Sequence, residues 1–449
     1  MARSSKLSGF PEWLPEGRLV ELAVLDTARR IFELHGFSSL ETRSVEPVDV
    51  LLSKGEIDKE VYSVRRIHDD GPAEDSLALH FDLTVPFARY VVENAGRLDF
   101  PLRRYQMQKV WRGERPQEGR FREFTQADID IVDANELAPQ HEAEMALVMA
   151  EVFSSLPFLP PVRICVNNRK ILEGFYTGLG IADPAAVFRA VDKIDKIGPA
   201  RVRELLRDDA GLTEAQAEGV LGLAQIRATD DSFVREVQSL GVSNDLLDQG
   251  LSELAAVMSA TAGRQADVIM ADLHIVRGLD YYTGTVYETF LEGYESFGSI
   301  CSGGRYDSLA RDGKTTYPGV GISLGVTRLV SLLLGRGLVR ATRKVPAAVL
   351  VAVVDEDSRD ISDAVAGSLR ARGIACEVAP RAAKFGKQIN YADRRGIPFV
   401  WFPAGVDDEG DSVKDIRTGD QVPADAGTWA PPDTDLRPQI VAASDEGAP

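Results

Sequence analysis

The sequence predicts an α+β protein with a large mixed part, a helical insertion within that part, and a small α/β domain toward the C-terminus. Residues 105–133, YQMQKVWRGERPQEGRFREFTQADIDIVD, have the pattern of two strands joined by a polar loop. Residues 180–262 change to short helical patterns. From residue 347 onward, strand and helix patterns alternate. A chain of 449 residues has room for two or three such domains.

The first elements along the chain are a helix and an extended segment. Residues 19–34 carry apolar side chains at helical spacing. Residues 36–47, GFSSLETRSVEP, predict a turn and an extended segment closed by proline. Residues 77–92, LALHFDLTVPFARYVV, predict a strand that leads into a helix. Asp82 and Thr84 are expected to lie within that otherwise apolar strand.

The second strand of the 105–133 pair alternates in polarity. Side chains two apart on a strand point to the same face. One face is therefore expected to carry Phe124, Gln126, Asp128 and Asp130, and the other Thr125, Ala127, Ile129 and Ile131.

The insertion and the elements after it have local signals of their own. Thr213 and Gln216 have the spacing of a helix capping box, and Gly198-Pro199 is a helix breaker. Residues 285–292 predict a further strand. Residues 319–334, GVGISLGVTRLVSLLL, predict a strand, a glycine-rich turn and an apolar helix.

The C-terminal part begins after a basic linker at 336–346 and predicts a β-α-β-α-β unit that ends in the strand PFVWFP. Its Pro- and Asp-rich tail is expected to be disordered. The predicted boundaries are 1–175 and 263–337 for the two parts of the core, 176–262 for the insertion, 345–430 for the α/β domain and 431–449 for the tail.

The amino-acid composition and the net charge indicate where the protein is located and what kinds of partner it can bind. Three cysteines without C-x-x-C spacing indicate a reducing compartment, and the N-terminus lacks an apolar signal core. The apolar run at 347–354 is too short to span a membrane. A cytoplasmic protein is therefore expected. The net charge of −18 argues against non-specific nucleic-acid binding. It leaves room for a local basic patch, which the sequence offers at Arg103, Arg104, Lys109, Arg112, Arg115, Arg120 and Arg122.

Three motifs of other protein classes fail on inspection. GISLG at 321–325 matches a hydrolase nucleophile elbow, but no histidine follows His274 to complete a triad. GKT at 313–315 resembles the end of a phosphate loop, but Ser308 stands where that loop needs glycine. No metal site is predicted, because zinc-ligand spacing is missing among His35, His68, His80, His141 and His274.

A set of polar residues remains on predicted strands and glycine-rich turns, and its arginines are the informative members. Ion pairing between strands explains any single pair, whereas burying many charges is costly unless they are used. Arginines can hold a polyphosphate, and carboxylates with a glutamine can hold an amine. ATP and an amino acid would suit the set, which comprises Asp82, Thr84, Arg112, Glu114, Arg120, Arg122, Gln126, Asp130, Arg277, Tyr282, Arg305, Tyr306 and Arg328.

These residues lie in motifs that resemble the class II aminoacyl-tRNA synthetases, and specifically the histidyl-tRNA synthetase family, over about residues 8 to 425. GFSSLETRSVEP, VWRGERPQEGRFREF and GVGISLGVTRL are similar to the three class II motifs. RGLDYYTGTVYE and SGGRYD are similar to two histidine-specific motifs, and AKFGKQINYADRRGIPFV to the anticodon-binding domain. The resemblance implies an antiparallel catalytic sheet flanked by helices, a homodimer, and ligation of histidine to its tRNA through histidyl-adenylate.

The resemblance also implies roles for individual residues. Arg277 and Arg112 are expected on the α-phosphate and the substrate carboxylate as catalytic residues. ATP binding is expected from Arg112, Glu114, Arg120, Phe124 and Arg328. Histidine binding is expected from Asp82, Thr84, Arg112, Gln126, Asp130, Arg277, Tyr281, Tyr282 and Tyr306. Asp82 and Asp130 stand where many members carry the longer glutamate. Mg²⁺ is expected with the pyrophosphate, without an organic cofactor.

Three other classes of protein share some of these features. The regulatory subunit of ATP phosphoribosyltransferase shares the catalytic fold but lacks the anticodon-binding domain and the arginine at the position of Arg277. A synthetase-like sensor of uncharged tRNA would sit beside a kinase domain. An unrelated acidic scaffold would use its arginines only in ion pairs and would not bind ATP. The tRNA is expected to contact the basic stretches 336–344 and 381–395.

Overall fold

The structure is a computed structural model that describes residues 7–52, 60–68, 77–264, 268–276, 282–404 and 410–443. It divides into two compact units. The first comprises Met1–Pro11 and Val24–Leu332, and the second Glu12–Ala23 and Leu333–Pro449. Within the described ranges, no helix is long and apolar enough to cross a membrane.

Nine strands in the described part of the first unit form one sheet, in the order β1-β5-β6-β12-β11-β10-β7-β9-β8. Neighbours run antiparallel except for the parallel pairs β1–β5 and β7–β9. The strands are β1 (Ser38–Ser39), β5 (Leu102–Trp111), β6 (Glu123–Val132), β7 (Val162–Asn168), β8 (Arg227–Ala228), β9 (Ile269–Asp272), β10 (Thr285–Leu291), β11 (Cys301–Arg311) and β12 (Thr316–Gly325). The predicted fold class, an antiparallel-dominated sheet with flanking helices, is confirmed.

A smaller sheet in the same unit has the order β2-β4-β3, formed by β2 (Val45–Pro47), β3 (Ser63–Val64) and β4 (Leu77–Leu79). The helices outside the insertion are α1 (Pro15–Leu34), α2 (Val48–Leu52), α3 (Thr84–Asn94), α4 (Gln140–Ser154), α5 (Arg169–Gly178) and α11 (Val326–Gly335). Phe87 and Val91 of α3 pack against Tyr306 and Tyr317 of the large sheet. That apolar contact fixes the start of α3 beside the polar face described below.

The insertion consists of α6 (Pro184–Val191), α7 (Ile194–Asp208), α8 (Glu214–Ala224), α9 (Phe233–Ser239) and α10 (Asp245–Thr261). The predicted capping box is present, because Thr213 and Gln216 bond each other's backbone at the start of α8. The breaker is present as well: Gly198 adopts φ 78°, which leaves a kink inside α7.

The second unit contains the predicted β-α-β-α-β pattern: β14 (Val349–Val351), α12 (Arg359–Ala371), β15 (Cys376–Val378), α13 (Phe385–Arg395) and β16 (Phe399–Phe402). These three strands run parallel. The sequence did not predict the antiparallel extension of this sheet, which is formed by β17 (Ser412–Asp415) and β18 (Gln421–Pro423). Short polar strands of this kind carry little periodic signal.

Two predictions about local structure were wrong. Asp82 and Thr84 do not lie in a strand: β4 ends at Leu79, and Thr84 is the first residue of α3. The tail is not wholly disordered, because residues 431–443 include α14 (Asp433–Leu436) and β19 (Ile440–Ala442). The latter strand pairs with β13 (Val339–Ala341), and a charged composition gives no sign of such a distant partner.

Candidate active site

The central strands of the large sheet present one polar face. The register places Asp130 between Arg104 of β5 and Gly321 of β12, and Asp128 between Gln106 and Ser323. Residues paired across antiparallel strands point to the same side of the sheet. The polar face predicted for residues 124–130 therefore continues onto both neighbouring strands, β5 and β12.

Asp130 is the centre of a buried hydrogen-bonded group. Arg104, fully buried, approaches Asp130 Oδ2 to 2.7 Å. The Tyr306 hydroxyl donates to Asp130 Oδ1 at 2.8 Å. The guanidinium of Arg104 also donates to Gln106 and to the Leu83 carbonyl. Both carboxylate oxygens are thus occupied, which holds the side chain in one position.

Glycines leave the space that this group occupies. A Cβ at Gly321 would lie 2.1 Å from Asp130 Oδ1, and one at Gly319 would lie 2.6 Å from the Tyr306 ring. A Cβ at Gly304 would lie 2.8 Å from the Tyr282 ring. The glycines of the SGGRYD and GVGISLG segments therefore admit the polar side chains of neighbouring strands.

The electrostatics of the face follow from burial. Burial raises the pKa of Asp130 to about 6, although the Arg104 guanidinium and the Tyr306 hydroxyl lower it. Burial likewise raises the pKa of Asp128 to about 7, opposed by Arg104 and by a hydrogen bond from Ser323. The pKa of Tyr306 is raised by burial and, to a smaller extent, by the charge of Asp130. Its phenol therefore stays protonated and can donate a hydrogen bond.

Asp82, Gln126 and Thr84 were also predicted for histidine binding, and the structure describes all three. Asp82, 5% exposed, accepts a hydrogen bond from the Val85 amide at the start of α3 and raises the pKa of Asp130. Gln126 donates to the Ser323 hydroxyl at 2.6 Å. Thr84 is partly buried and lies two residues after Asp82 in the chain.

A second group of predicted residues lies at the far end of β5 and β6, on the same loop. The Arg112 guanidinium lies 5.2 Å from the centre of the Phe124 ring and donates to the Phe81 carbonyl. Arg120 and Glu114 form an ion pair at 3.1 Å. The Arg112 contact with Phe81 links this group to Asp82, the next residue in the chain.

Arg328 lies at the start of α11. Its guanidinium donates to the Gly119 carbonyl at 3.0 Å and to the Phe297 carbonyl, and lies 4.8 Å from the Phe297 ring centre. Gly119 has φ 70°, and a Cβ there would meet the Phe297 ring at 2.4 Å. The polar loop between β5 and β6 is therefore held against the start of α11.

Some predicted residues were placed elsewhere or fall outside the described part. Arg277 and Tyr281 lie outside the described residues. Arg305 pairs with Glu142 and Asp307, which indicates a structural ion pair between β11 and α4.

The supposed basic patch does not form a surface of free cations. Arg104 is fully buried, Arg103 pairs with Glu144 at 2.5 Å, and Lys109 pairs with Glu123. Sequence proximity alone could not reveal this, because alternate strand residues point to opposite faces and meet different partners.

Arg104, Ser323 and Gly321 were missed as site residues. A signal existed for Arg104: Arg104, Gln106 and Gln108 alternate along β5 as the polar residues do along β6. The positions of Ser323 and Gly321 opposite Asp128 and Asp130 depend on the pairing of β6 with β12. Nearly two hundred residues separate these strands, so no local pattern predicts that pairing.

The arrangement can bind a small polar molecule with a hydrogen-bonding ring beside a group of arginines. Three cysteines, Cys165, Cys301 and Cys376, are buried free thiols, and burial raises their pKa, so none is an activated nucleophile. In the described part of the chain, no three His, Cys, Asp or Glu side chains are grouped to hold a metal ion.

Comparison with known proteins assigns the family. The family model described as histidyl-tRNA synthetase matches residues 9–329, and that of an anticodon-binding domain matches 348–409. The histidine–tRNA ligase of Cutibacterium acnes is 59% identical over 98% of this chain and 99% of its own length. That of Micrococcus luteus is 57% identical over 99% of this chain and 100% of its own length.

A solved structure agrees with the sequence relatives. The crystal structure of histidyl-tRNA synthetase from Nostoc sp. PCC 7120 is 36% identical and superimposes with a TM-score of 0.84. The match covers 94% of this chain and 97% of that one. Both the sequence motifs and the fold therefore place the chain in the histidyl-tRNA synthetase family.

Proposed function

We propose that the polar face and the adjoining arginines carry out the two-step reaction of this family. The chain is an ATP-dependent histidine–tRNA ligase. In the first step, a carboxylate oxygen of histidine attacks the α-phosphorus of ATP, and pyrophosphate leaves as histidyl-adenylate forms. In the second step, a hydroxyl at the tRNA 3′ end attacks the histidyl carbonyl and AMP leaves.

Arg112 is proposed to stabilise charge at the α-phosphorus. The substrate carboxylate is itself the nucleophile, so the protein must orient it and neutralise negative charge. Arg112 Nε donates to the Phe81 carbonyl oxygen at 3.0 Å, which orients the guanidinium group. Its two terminal nitrogens can then donate to a ligand. Arg277 is assigned the same task by its motif.

The ATP subsite is proposed to lie at the loop end of β5 and β6. Phe124 offers a ring face for the adenine, and Glu114 can accept from its amino group. Arg120 and Arg328 supply guanidinium groups for the outer phosphates or the base. In this structure Arg120 pairs with Glu114, so ATP binding would exchange that ion pair for contacts with the nucleotide.

The main support for the assignment to histidine is the position of Asp130. It is held between Arg104 and Tyr306 deep in the polar face. An imidazole ring offers one donor and one acceptor when neutral. Asp130 can accept from the ring N–H, and Tyr282 can serve the other nitrogen. Asp82, Thr84 and Gln126 are proposed to bind the α-ammonium group, and Tyr306 to orient Asp130.

Further partners are proposed on the same basis. Mg²⁺ would arrive on the ATP phosphates and neutralise charge there, since a protein site of several carboxylates is not needed for such binding. A homodimer is proposed through the GFSSLETRSVEP segment. A cytoplasmic location fits three free, buried cysteines. The tRNA is proposed to contact the basic stretches 336–344 and 381–395.

Amino-acid-dependent ATP–pyrophosphate exchange tests the function. The wild type should exchange with histidine and with none of the other nineteen standard amino acids, and Arg277→Ala should lose roughly 100-fold or more of the rate. Arg235→Ala, an exposed arginine of the insertion, is the matched control and should keep full activity. A folded wild-type protein without exchange on any amino acid would refute the assignment in favour of a regulatory paralogue.

A further inference from the structure

The polar face contains two buried acceptor atoms without a hydrogen-bond partner among the described residues. These are Asp128 Oδ1 and Gln126 Oε1. Asp128 is 3% exposed and Gln126 is 8% exposed. Buried polar atoms are nearly always hydrogen-bonded to protein or to ordered water, so two neighbouring open acceptors on one strand face mark a place where a ligand can supply donors.

Ser323 connects the two side chains and fixes their orientation. Its oxygen accepts from Gln126 Nε2 at 2.6 Å, and its hydroxyl hydrogen bonds to the Asp128 carboxyl. Because the hydroxyl has a single hydrogen, donation to Asp128 requires that the Gln126 amide present its nitrogen to Ser323. The amide oxygen is therefore turned away from Ser323, and both open acceptors lie on the same polar face.

The charges on this face are unbalanced. Asp82, Asp128 and Asp130 are all buried, and Arg104 is bound directly to Asp130. No ion pair joins Asp128 to a cation within the described part of the chain. Burial raises the pKa of Asp128 and the Arg104 charge lowers it. The net effect is a pKa raised to about 7. A cation delivered to Asp128 would remove the cost of ionising it.

We propose that Asp128 is a further substrate-binding residue, whose Oδ1 accepts a hydrogen bond from the α-ammonium group of histidine together with Gln126 Oε1. This inference rests on the proposed function. A primary ammonium group has three N–H donors and no acceptor, which matches a site made of acceptors. Asp82, already assigned to this group, would supply the third acceptor.

The proposal has a consequence for protons. A bound ammonium group favours the ionised form of Asp128, so binding near pH 7 must release the proton that this carboxyl holds part of the time. Affinity for an amine-bearing ligand should then fall as the pH is lowered through about 7. A ligand with the same ring but no amine should show only the proton loss and the pH dependence of its own imidazole.

Calorimetric binding of two histidine analogues tests this assignment. L-Histidinol keeps the ring and the ammonium group, whereas imidazolepropionate keeps the ring and lacks the ammonium group. Asp128→Asn keeps the shape and removes the charge. It should bind L-histidinol roughly 10- to 100-fold more weakly than the wild type, and imidazolepropionate within about threefold. Asp133→Asn, just beyond the end of β6, is the control and should change neither affinity.

Repeating the titrations in two buffers of different ionisation enthalpy counts the protons. After subtraction of the protons that the imidazole ring of each free ligand loses on binding, the wild type should release more protons with L-histidinol than with imidazolepropionate at pH 7. This wild-type difference needs no variant, so it decides the matter even if Asp128→Asn fails to fold. Equal proton counts for the two ligands would overturn the proposal, as would a folded Asp128→Asn with unchanged L-histidinol affinity or equal losses for both ligands.

The same experiment separates this inference from the function on which it rests. A wild type that exchanges pyrophosphate with histidine but shows equal proton counts refutes only the role of Asp128. A wild type that neither exchanges nor binds either analogue refutes the proposed function and the role of Asp128 with it.

Discussion

Replacing Gly321 by alanine should damage histidine recognition and spare ATP binding. The added Cβ would lie 2.1 Å from Asp130 Oδ1 and 2.8 Å from its Cγ. Ordinary contacts of a Cβ begin near 3.4 Å, so the Asp130 carboxyl must retreat by about 1 Å or the strands must separate. The Ile129 carbonyl, 3.1 Å from the same Cβ, restricts movement of the strand.

The magnitude follows from the contacts that Asp130 would lose. Its bonds to Tyr306 and Arg104 measure 2.8 Å and 2.7 Å. A displacement of about 1 Å takes both beyond hydrogen-bonding distance. A hydrogen bond to a charged group contributes about 1.5–3 kcal/mol, which corresponds to roughly 10- to 100-fold in affinity. We therefore expect the KM for histidine to rise by that factor and the free energy of unfolding to fall by about 1–3 kcal/mol.

Pyrophosphate exchange at varied histidine and varied ATP measures the two effects separately. The KM for ATP should stay within about threefold, because Phe124 and Arg112 lie at the other end of the strands. Gly367→Ala is the matched control, since its Cβ would meet nothing within 4 Å on α12. An unchanged KM for histidine in a folded Gly321→Ala protein would refute the role given to Asp130.

The remaining predictions concern His274 and the tRNA. Burial opposes the charge on His274, yet hydrogen bonds to Asp195 and Asp272 raise its pKa to about 9. Because this pKa is raised above its value in the unfolded chain, charged His274 stabilises the folded protein. That stabilisation is full below about pH 6.5 and is lost as the pH rises through 9. His274→Gln should therefore remove roughly 1–2 kcal/mol of pH-dependent stability between those values in urea unfolding, and an unaltered slope would contradict this. Exposed Arg394 on α13 is expected to contact tRNA phosphate. Arg394→Glu should weaken tRNA binding roughly 3- to 10-fold and flatten its salt dependence in filter binding, whereas unchanged affinity at physiological salt would count against that contact.

Much of the fold could be predicted because its elements have strong local periods. The β-α-β-α-β unit around Ala392 and Trp401 combines apolar strands with amphipathic helices, and both periods are visible in one sequence. The hairpin of β5 and β6 was predicted for the same reason. By contrast, β17, β18 and β19 are short and polar, and their order depends on strands elsewhere in the chain.

The error at Asp82 has a specific cause. The run from Leu77 to Val92 is mainly apolar, and such a run does not distinguish a strand from the start of a buried helix. In the structure, Asp82 accepts a hydrogen bond from the Val85 amide and so satisfies a backbone donor at the start of α3. An aspartate three residues before that donor is a helix-start signal that the strand prediction overlooked.

The sequence by itself determined the class of chemistry. Alternating Gln126, Asp128 and Asp130, together with the arginine-rich loop and the two histidine-specific segments, indicated a family and a substrate pair. Only the tertiary structure decided which charges pair directly: Arg104 became a buried partner of Asp130, and Asp128 was left without an ion pair in the described residues. The reason is physical. Periodicity sets the direction of each side chain within a strand, whereas its neighbours depend on strand order and register, which are contacts between distant segments.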